Sequence, residues 1–204
     1  MNEEMKSILE KVKYLYLKYG IKSVTMDDVS RELGISKKTL YQYVKDKSEL
    51  VEKVVQLEMQ GRKNELNCIE RSDLNAIEEL LEVNRQLVEM LQNFNPATEY
   101  DLKKYYPDLY HRVLESRREH MHKSILENIR KGREEGIYRD NFDADIISKL
   151  NVLRFEHLFQ SEIFSSDELS SKRFFRELFI YHIHGIANQS GLKVLEYKIS
   201  EINE

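Results

Sequence analysis

The sequence predicts an all-α protein with about nine helices. Its 204 residues include only seven glycines and two prolines, so the residues that most often interrupt helices are scarce. Apolar residues recur three and four positions apart over long segments, which is the spacing of one face of a helix. Three pairs of residues that favour helix starts also follow one another early in the chain. With 41% hydrophobic residues, the chain can bury a sizeable core in one or two compact domains.

Several classes of protein are excluded by composition. No apolar run reaches the roughly 18 to 20 residues that a membrane-spanning helix needs, and the first residues lack the basic and apolar regions of a secretory signal. We therefore expect a cytoplasmic protein with no membrane partner. Cys68 is the single cysteine, which excludes an internal disulfide and a metal site built from several cysteines. We expect neither a metal nor a cofactor.

The first two predicted helices are short and well delimited. The first spans residues 3–19 and is followed by Gly20, a residue that commonly ends helices because it tolerates positive φ. The second spans residues 26–33. Thr25 and Asp28 form a capping box at its start, in which each side chain accepts a hydrogen bond from the backbone of the other residue.

A tight turn and a third helix follow. Gly34 can adopt the positive φ that ends the second helix, and Ser36 can cap a third helix over residues 37–44. Asp46 and Glu49 form another capping box, at the start of a fourth helix. Two short helices joined by a turn of three or four residues make up a helix-turn-helix motif.

Charge is distributed unevenly along the chain. The net charge is −4, yet residues 1–50 contain ten basic and eight acidic residues. The imbalance is sharpest in residues 31–47, where five basic residues accompany two acidic ones. A small basic surface on an acidic protein can contact a few phosphates, whereas sequence preference must come from side chains that reach base edges.

The third helix has a polar outer face. Leu40 and Val44 lie four residues apart and are predicted to point inward. The outward residues are then Lys38, Thr39, Gln42 and Tyr43. A helix of this width fits the major groove of B-DNA, where lysine can pair with guanine and glutamine with adenine. Three short amphipathic helices also occur in many small helical domains, so this pattern alone leaves a purely structural role open.

A set of residues between positions 20 and 50 matches a known pattern. It comprises Gly20, Val24-Thr25-Met26-Asp27, Val29, Leu33-Gly34-Ile35-Ser36, Thr39-Leu40-Tyr41, Tyr43 and Lys45-x-Lys47-x-Glu49-Leu50. In order and position these residues resemble the N-terminal domain of TetR-family transcriptional regulators. Val44 stands where the family usually has phenylalanine, and Ser30 where it usually has alanine. Both are packing positions.

The resemblance implies a DNA-binding domain in residues 1–48 and a helical ligand-binding and dimerisation domain in residues 49–204. It places one group of side chains in the major groove and implies that Tyr41 and Lys47 hold phosphates, with help from Thr25. For Lys47 there is an independent reason, because the free N–H groups at a helix start attract phosphate. The predicted DNA-binding set is Thr25, Ser36, Lys37, Lys38, Thr39, Tyr41, Gln42, Tyr43 and Lys47.

The remainder of the chain predicts long helices. Their apolar residues keep helical spacing between the few breaks, and residues 131–143 form a loop rich in glycine and aspartate. Residues 100–106 are a short aromatic segment, and the tail at 192–202 has no assigned pairing. The predicted helices cover residues 47–69, 74–94, 107–131, 144–164 and 167–188.

The last two of these helices, at 144–164 and 167–188, are apolar, and the final one has too much apolar surface for one neighbour to cover. In TetR-family proteins the final helix pair forms a four-helix bundle with a second subunit, so the resemblance implies a homodimer. Two recognition helices about 34 Å apart would also read a palindromic DNA operator. Burial of both apolar faces within a monomer is the alternative.

The resemblance further implies a pocket for a small-molecule effector. In the family, ligand binding shifts the dimer to a spacing that no longer fits the operator, so the chain is predicted to be a ligand-released repressor. The candidate lining residues are Asn84, Leu87, Met90, Phe94, Tyr110, Leu114, Arg117, Met121 and Phe155. Ordinary core packing is the alternative for each of them.

Two other functions remain open. The chain could be a DNA-binding regulator controlled by a protein partner, or a helical enzyme with a DNA-binding-like appendage. For the enzyme, Glu119 and His122 form one Glu-x-x-His pair, but a di-iron bundle needs a second pair, which the sequence lacks. There is also no glycine-rich phosphate loop and no nucleophile elbow. We therefore expect no catalytic activity.

Overall fold

The computed structural model describes residues 3–70, 73–92, 95–158, 163–169 and 171–203. Within these ranges the chain forms eleven helices and no strand, which confirms the all-α prediction, and Tyr138 and Ala187 form one isolated antiparallel bridge. The helices are α1 Glu3–Tyr19, α2 Met26–Leu33, α3 Lys37–Tyr43, α4 Lys47–Glu70, α5 Ala76–Gln92, α6 Pro96–Tyr105, α7 Pro107–Glu134, α8 Ala144–Leu158, α9 Ser166–Leu169, α10 Lys172–Ile186 and α11 Gln189–Asn203.

The first four helices begin and end within one residue of the bounds that the sequence predicts. Gly20 follows α1 with φ of 81°, and Gly34 follows α2 with φ of 67°. Both values lie in the left-handed region, which a residue with a Cβ adopts only at a cost. The helix-turn-helix is therefore present with its glycine at the turn.

Two helices in the middle of the chain are longer than predicted. The short aromatic segment expected at residues 100–106 belongs to a ten-residue helix, α6, because Asn95 accepts a hydrogen bond from the N–H of Ala97 and Pro96 occupies the first helical position. α7 continues to Glu134, three residues beyond its expected end. Gly136, with φ of 70°, follows the end of α7.

The C-terminal helices differ most from the prediction. The helix expected at 144–164 ends at Leu158 within the described residues, since 159–162 lie outside them and Ile163 is in a turn. The helix expected at 167–188 is two helices, α9 and α10. Ser171 separates them because its hydroxyl caps α10 by accepting from the N–H of Phe174 at 3.2 Å. The unassigned tail forms α11, which is capped by Asn188.

The chain divides into two compact units, each with its own packing. The first comprises residues 1–65 and 94–116, and the second comprises residues 66–93 and 117–204. The boundary predicted after residue 48 separates a DNA-binding domain from a ligand-binding domain, whereas these two units are defined by their packing. The predicted boundary stays a prediction. None of the helices in the described ranges combines the length and the apolar character of a membrane-spanning segment.

The core of the first unit brings α1, α3 and α4 together. Leu9 and Val12 of α1, Leu40 of α3, and Leu50 and Val51 of α4 are each at most 1% exposed. Full burial of one such side chain stabilises the fold by about 1.5 to 3 kcal/mol. α3 is therefore held from its inner side, and its outer side is left to face the solvent.

The core of the second unit brings together α5, α10 and α11. Ile77, Ile183 and Leu195 are at most 1% exposed, and Tyr138 packs beside them. The ring of Tyr138 lies directly against Gly132, where an added Cβ would come within 2.1 Å of it. This close contact explains why glycine is found at position 132, near the end of α7.

A buried polar network also joins α5 to α7. Asn128 donates to the carbonyl of Ala76 at 2.8 Å and accepts from the Tyr138 hydroxyl at 3.0 Å. Glu79 is 5% exposed and accepts from the Lys131 ammonium at 2.5 Å. Buried polar groups are costly unless they are hydrogen-bonded, so these bonds specify how the two helices pack.

Candidate nucleic-acid interface

The start of α2 is fixed by a reciprocal pair of hydrogen bonds. The N–H of Asp28 donates to Thr25 Oγ1 at 3.2 Å, and the N–H of Thr25 donates to Asp28 Oδ2 at 2.9 Å. The Thr25 hydroxyl also donates to Asp28 Oδ2, at 2.6 Å. These bonds from Thr25 hold the pKa of Asp28 below its ordinary value. The predicted capping box is confirmed, and the Thr25 hydroxyl uses its proton within it.

The turn between α2 and α3 is closed by backbone hydrogen bonds. The N–H of Gly34 donates to the carbonyl of Arg31 at 3.2 Å, and the N–H of Ile35 donates to the carbonyl of Ser30 at 3.1 Å. Ser36 then caps α3 by accepting from the N–H of Thr39 at 3.0 Å. Because each of these bonds spans only a few residues, local sequence sets the angle at which α3 leaves α2.

The outer face of α3 presents Lys38 and Gln42. Leu40 is fully buried and Val44 is 3% exposed, so the predicted inward residues are confirmed. Lys38 and Gln42 are exposed and lie four residues apart, on the same side of the helix. Neither side chain forms a hydrogen bond or ion pair with another residue that the structure describes. Tyr41 is also exposed, at 48%.

The other predicted groove residues on α3 have partners within the protein. The ammonium of Lys37 lies 2.6 Å from Asp27 on α2, and both side chains are at least half exposed. The Thr39 hydroxyl lies 2.8 Å from that of Ser36. Tyr43 is half-buried, and a hydrogen bond with Glu4 raises the pKa of its hydroxyl. These contacts distinguish the tethered residues from Lys38 and Gln42.

The start of α4 carries Lys47. The N–H of Glu49 donates to Asp46 Oδ1 at 2.9 Å, as predicted, but the Glu49 carboxylate accepts from the N–H of Lys45 at 2.6 Å rather than from Asp46 itself. The Lys47 ammonium donates to the carbonyl of Lys22 at 3.2 Å. Partial burial lowers the pKa of Lys47 below its ordinary value. Lys47 is thus held against the connector between α1 and α2.

The nine residues predicted to line a ligand pocket are divided between the two units. Tyr110 and Leu114 lie in the first unit, where Tyr110 is buried and its hydroxyl donates to Glu99 at 3.1 Å. Phe94 lies outside the described residues. The remaining six belong to the second unit: Asn84, Leu87, Met90, Arg117, Met121 and Phe155.

Two cavities are lined by other residues. One, of about 370 Å³, lies in the first unit; the other, of about 380 Å³, lies in the second unit. Neither is lined by any of the nine candidates, and the ligand set stays a prediction. The first cavity is lined by Leu15, Tyr19, Ser23, Val24, Asp28, Arg31 and Glu32. The second is lined by Arg118, Glu119, His122, Lys149, Val152, Leu153 and Glu156.

His122 and His182 of the second unit interact with residues of the same unit. His122 Nδ1 lies 2.8 Å from the Ser148 hydroxyl, and His122 Nε2 lies 3.3 Å from Asp145. Burial, with a smaller contribution from Arg154, lowers the pKa of His182 to about 4. Among the described residues, no three His, Cys, Asp or Glu side chains are grouped so that they could hold a metal ion.

Two contacts that position this surface were not predicted. The pairing of Lys37 with Asp27 could have been found, because the predicted turn already brings α2 and α3 together and the two charges are opposite. The hydrogen bond from the N–H of Lys22 to Asp101, at 2.7 Å, joins residues 79 positions apart. No local pattern indicates such a contact.

Comparisons with known proteins place this surface in a family. Residues 8–54 match the model of the bacterial regulatory proteins of the tetR family. An uncharacterized HTH-type transcriptional regulator, YvaF of Bacillus subtilis, is 35% identical over 89 residues, which cover 43% of this chain and 47% of that protein. The chain therefore spans about half the length of this curated relative in the match.

Solved structures resemble the fold over a longer part of the chain than the family model matches. A transcriptional regulator from Cytophaga hutchinsonii superposes with a TM-score of 0.72 at 20% identity, covering 92% of this chain and 100% of that one. The reduced form of Escherichia coli NemR gives a TM-score of 0.68 at 13% identity, over 90% and 97% of the two chains. Residues 8–54 therefore match the TetR family, and the likeness over the longer span shows a shared fold.

Proposed function

We propose that the chain is a sequence-specific DNA-binding transcriptional regulator. The observation that carries this proposal is the outer face of α3, where Lys38 and Gln42 are exposed above the buried Leu40 and Val44. In the major groove, lysine can donate to guanine O6 and N7, and glutamine can form two bonds with adenine. The family match covers this helix, which supports the proposal.

Phosphate contacts would fix the orientation of α3. Tyr41 is exposed on α3, and Lys47 stands in the first turn of α4, where free N–H groups and the helix dipole favour an anion. Contacts of this kind place the protein on the duplex but carry no sequence information. We assign Lys47 and Tyr41 to this role, and Lys38 and Gln42 to base recognition.

The regulator acts as a homodimer in this proposal. On α8, Ile146, Leu150 and Leu153 are 53 to 54% exposed, and on α10 Tyr181 is 76% exposed. An added Cβ at Gly185 would meet nothing within 4 Å, so this part of α10 is open to a close neighbour. Large apolar side chains exposed together on one face of α8 indicate an interaction site, and a second copy of the chain is the partner that we assign to it.

Release by a small molecule completes the proposed function, with the chain acting as a repressor. A ligand can shift a dimer between two spacings only if it binds one of them more tightly. A difference of about 5.5 kcal/mol would convert nearly complete operator binding into nearly complete release. The proposed contacts are the six candidate lining residues that belong to the second unit.

Selection of bound sites from random duplex DNA tests the proposal. We expect recovery of one palindromic sequence whose half-sites lie about one helical turn apart, because a symmetric dimer presents two copies of α3. Recovery of no enriched sequence would contradict sequence-specific binding. An enriched sequence without symmetry would support sequence-specific binding but contradict the symmetric dimer.

A further inference from the structure

A cluster of lysine and tyrosine side chains lies at the C-terminal end of α6. We call Lys22, Tyr100, Lys104 and Tyr105 the Lys–Tyr cluster. The Lys22 ammonium donates to the Tyr105 hydroxyl at 2.7 Å and lies 4.8 Å from the centre of that ring. The Lys104 ammonium donates to the Tyr100 hydroxyl at 2.9 Å and lies 5.5 Å from the Tyr105 ring. The cluster therefore combines two cations with two phenols at the surface.

The cluster is exposed and positively charged. Tyr100 is 57% exposed, Tyr105 is 39% exposed, and both lysines are exposed. Neither Lys22 nor Lys104 forms an ion pair with a carboxylate in the ranges that the structure describes. The Lys22 ammonium, chiefly by its hydrogen bond, lowers the pKa of the Tyr105 hydroxyl. The local field thus favours negative charge at this position.

Asp101, which lies between two tyrosines of the cluster in the sequence, is turned inward. Asp101 is 7% exposed, and its Oδ2 accepts from the backbone N–H of Lys22 at 2.7 Å. An added Cβ at Gly20 would lie 3.1 Å from the same oxygen, so Asp101 fills the space beside the connector. Its charge is used to hold α6 on the connector and does not cover the outer side of the cluster.

Other bonds make this attachment firm. The Thr98 hydroxyl donates to the carbonyl of Tyr16 at 2.7 Å, and the Asn95 amide donates to the carbonyl of Leu17 at 2.9 Å. Both acceptors lie in the last turn of α1, where carbonyl groups lack partners within the helix. α6 therefore has a defined position on the first unit, and so has the Lys–Tyr cluster.

The cluster adjoins the proposed phosphate contact. The Lys47 ammonium donates to the backbone carbonyl of Lys22, whose own side chain belongs to the cluster. A hydrogen bond also joins Tyr106, the residue after α6, to Ser48 in the first turn of α4. These bonds place the end of α6 beside the start of α4, so the Lys–Tyr cluster lies close to Lys47.

We propose that Lys22, Lys104 and Tyr105 bind phosphates of duplex DNA beyond those contacted by the helix-turn-helix. Lysine and tyrosine side chains are frequent donors to phosphate oxygens, and such contacts are independent of base sequence. The DNA backbone would thus be held by the end of α6 as well as by α4. This inference rests on the proposed function, because it assigns further contacts to the same DNA.

Salt-dependent binding of the full chain tests the inference. The probe is a random-sequence duplex of about 30 base pairs, because phosphate contacts do not require an operator. Each phosphate contact contributes about 0.9 to the slope of log affinity against log salt, or about threefold in affinity between roughly 50 and 200 mM. We expect Lys22→Gln and Lys104→Gln each to reduce the slope by about that amount per subunit. Tyr105→Phe should weaken binding without changing the slope, since it removes a donor and no charge.

Two controls make the result specific. Lys123→Gln removes an exposed lysine from the second unit and should leave the slope unchanged. Lys47→Gln should reduce the slope if the helix-turn-helix contacts are correct. An unchanged slope in the Lys22→Gln and Lys104→Gln double variant, with a reduced slope in Lys47→Gln, would overturn the inference and leave the proposed function standing. Failure of the wild-type chain to bind any duplex would overturn both.

Discussion

The helix-turn-helix and α8 expose opposite kinds of surface. On α3 the apolar residues Leu40 and Val44 are buried, and the exposed residues are polar. On α8 the exposed residues include Ile146, Leu150 and Leu153, each more than half accessible. The first arrangement suits a charged, hydrated partner such as DNA, and the second suits an apolar one. The difference fits the two proposed partners, which are DNA at α3 and a second copy of the chain at α8.

The largest expected effect is on the α8 surface. Leu150→Asp should weaken the proposed dimer by about 4 kcal/mol, close to a thousandfold in dissociation constant, because a symmetric interface loses about 2 kcal/mol of leucine burial twice. Sedimentation equilibrium measures the change. Leu17→Asp is the matched control, since Leu17 is 40% exposed on α1, outside the proposed interface. Equal self-association of the two variants would contradict the assignment of α8 to the dimer.

A smaller effect is expected at the turn of the helix-turn-helix. Gly34→Ala should destabilise the protein by about 1 to 2 kcal/mol, because φ of 67° is unfavourable for a residue with a Cβ. Gly61→Ala is the control: it lies inside α4, and an added Cβ meets nothing within 4 Å at either position. It should stabilise the protein by up to about 1 kcal/mol. Urea denaturation measures the free energy of unfolding of both variants. Destabilisation by both substitutions would contradict the assignment of the Gly34 effect to its backbone conformation.

The smallest expected effect concerns acid. Bonds from Thr25 lower the folded-state pKa of Asp28, so this carboxylate stabilises the fold above its unfolded pKa of about 3.9, and the contribution is lost as the pH falls through the lower folded value. Asp28→Asn should therefore reduce the free energy of unfolding near neutral pH and flatten its fall below about pH 4. Glu32→Gln, an exposed change on the same helix, is the control. Parallel acid profiles for Asp28→Asn and wild type would contradict the capping role.

The sequence predicted the helix-turn-helix well because its determinants are local. The Thr25 and Asp28 capping box, the Gly34 turn and the Ser36 cap each act within three or four residues. The Ser171 cap is equally local, yet the apolar spacing across it favoured one continuous helix, and the break between α9 and α10 was missed.

Contacts that span the chain could not be predicted in this way. Asp101 and Lys22 are 79 residues apart, and Lys131 and Glu79 are 52 apart, so no spacing rule links them. The Lys–Tyr cluster depends on the first of these contacts. Only the folded chain places the end of α6 beside the start of α4.

In the proposed complex with DNA, the outer face of α3 reads bases while Lys47 holds the backbone. The direct measurement is the ratio of affinities for a selected operator and a random duplex, determined for wild type, Lys38→Ala, Gln42→Ala and Lys47→Ala. We expect Lys38→Ala and Gln42→Ala each to lower this ratio by about 1 to 3 kcal/mol, and Lys47→Ala to weaken both duplexes nearly equally. An unchanged ratio for both α3 variants, with binding retained, would contradict the assignment of α3 to the major groove.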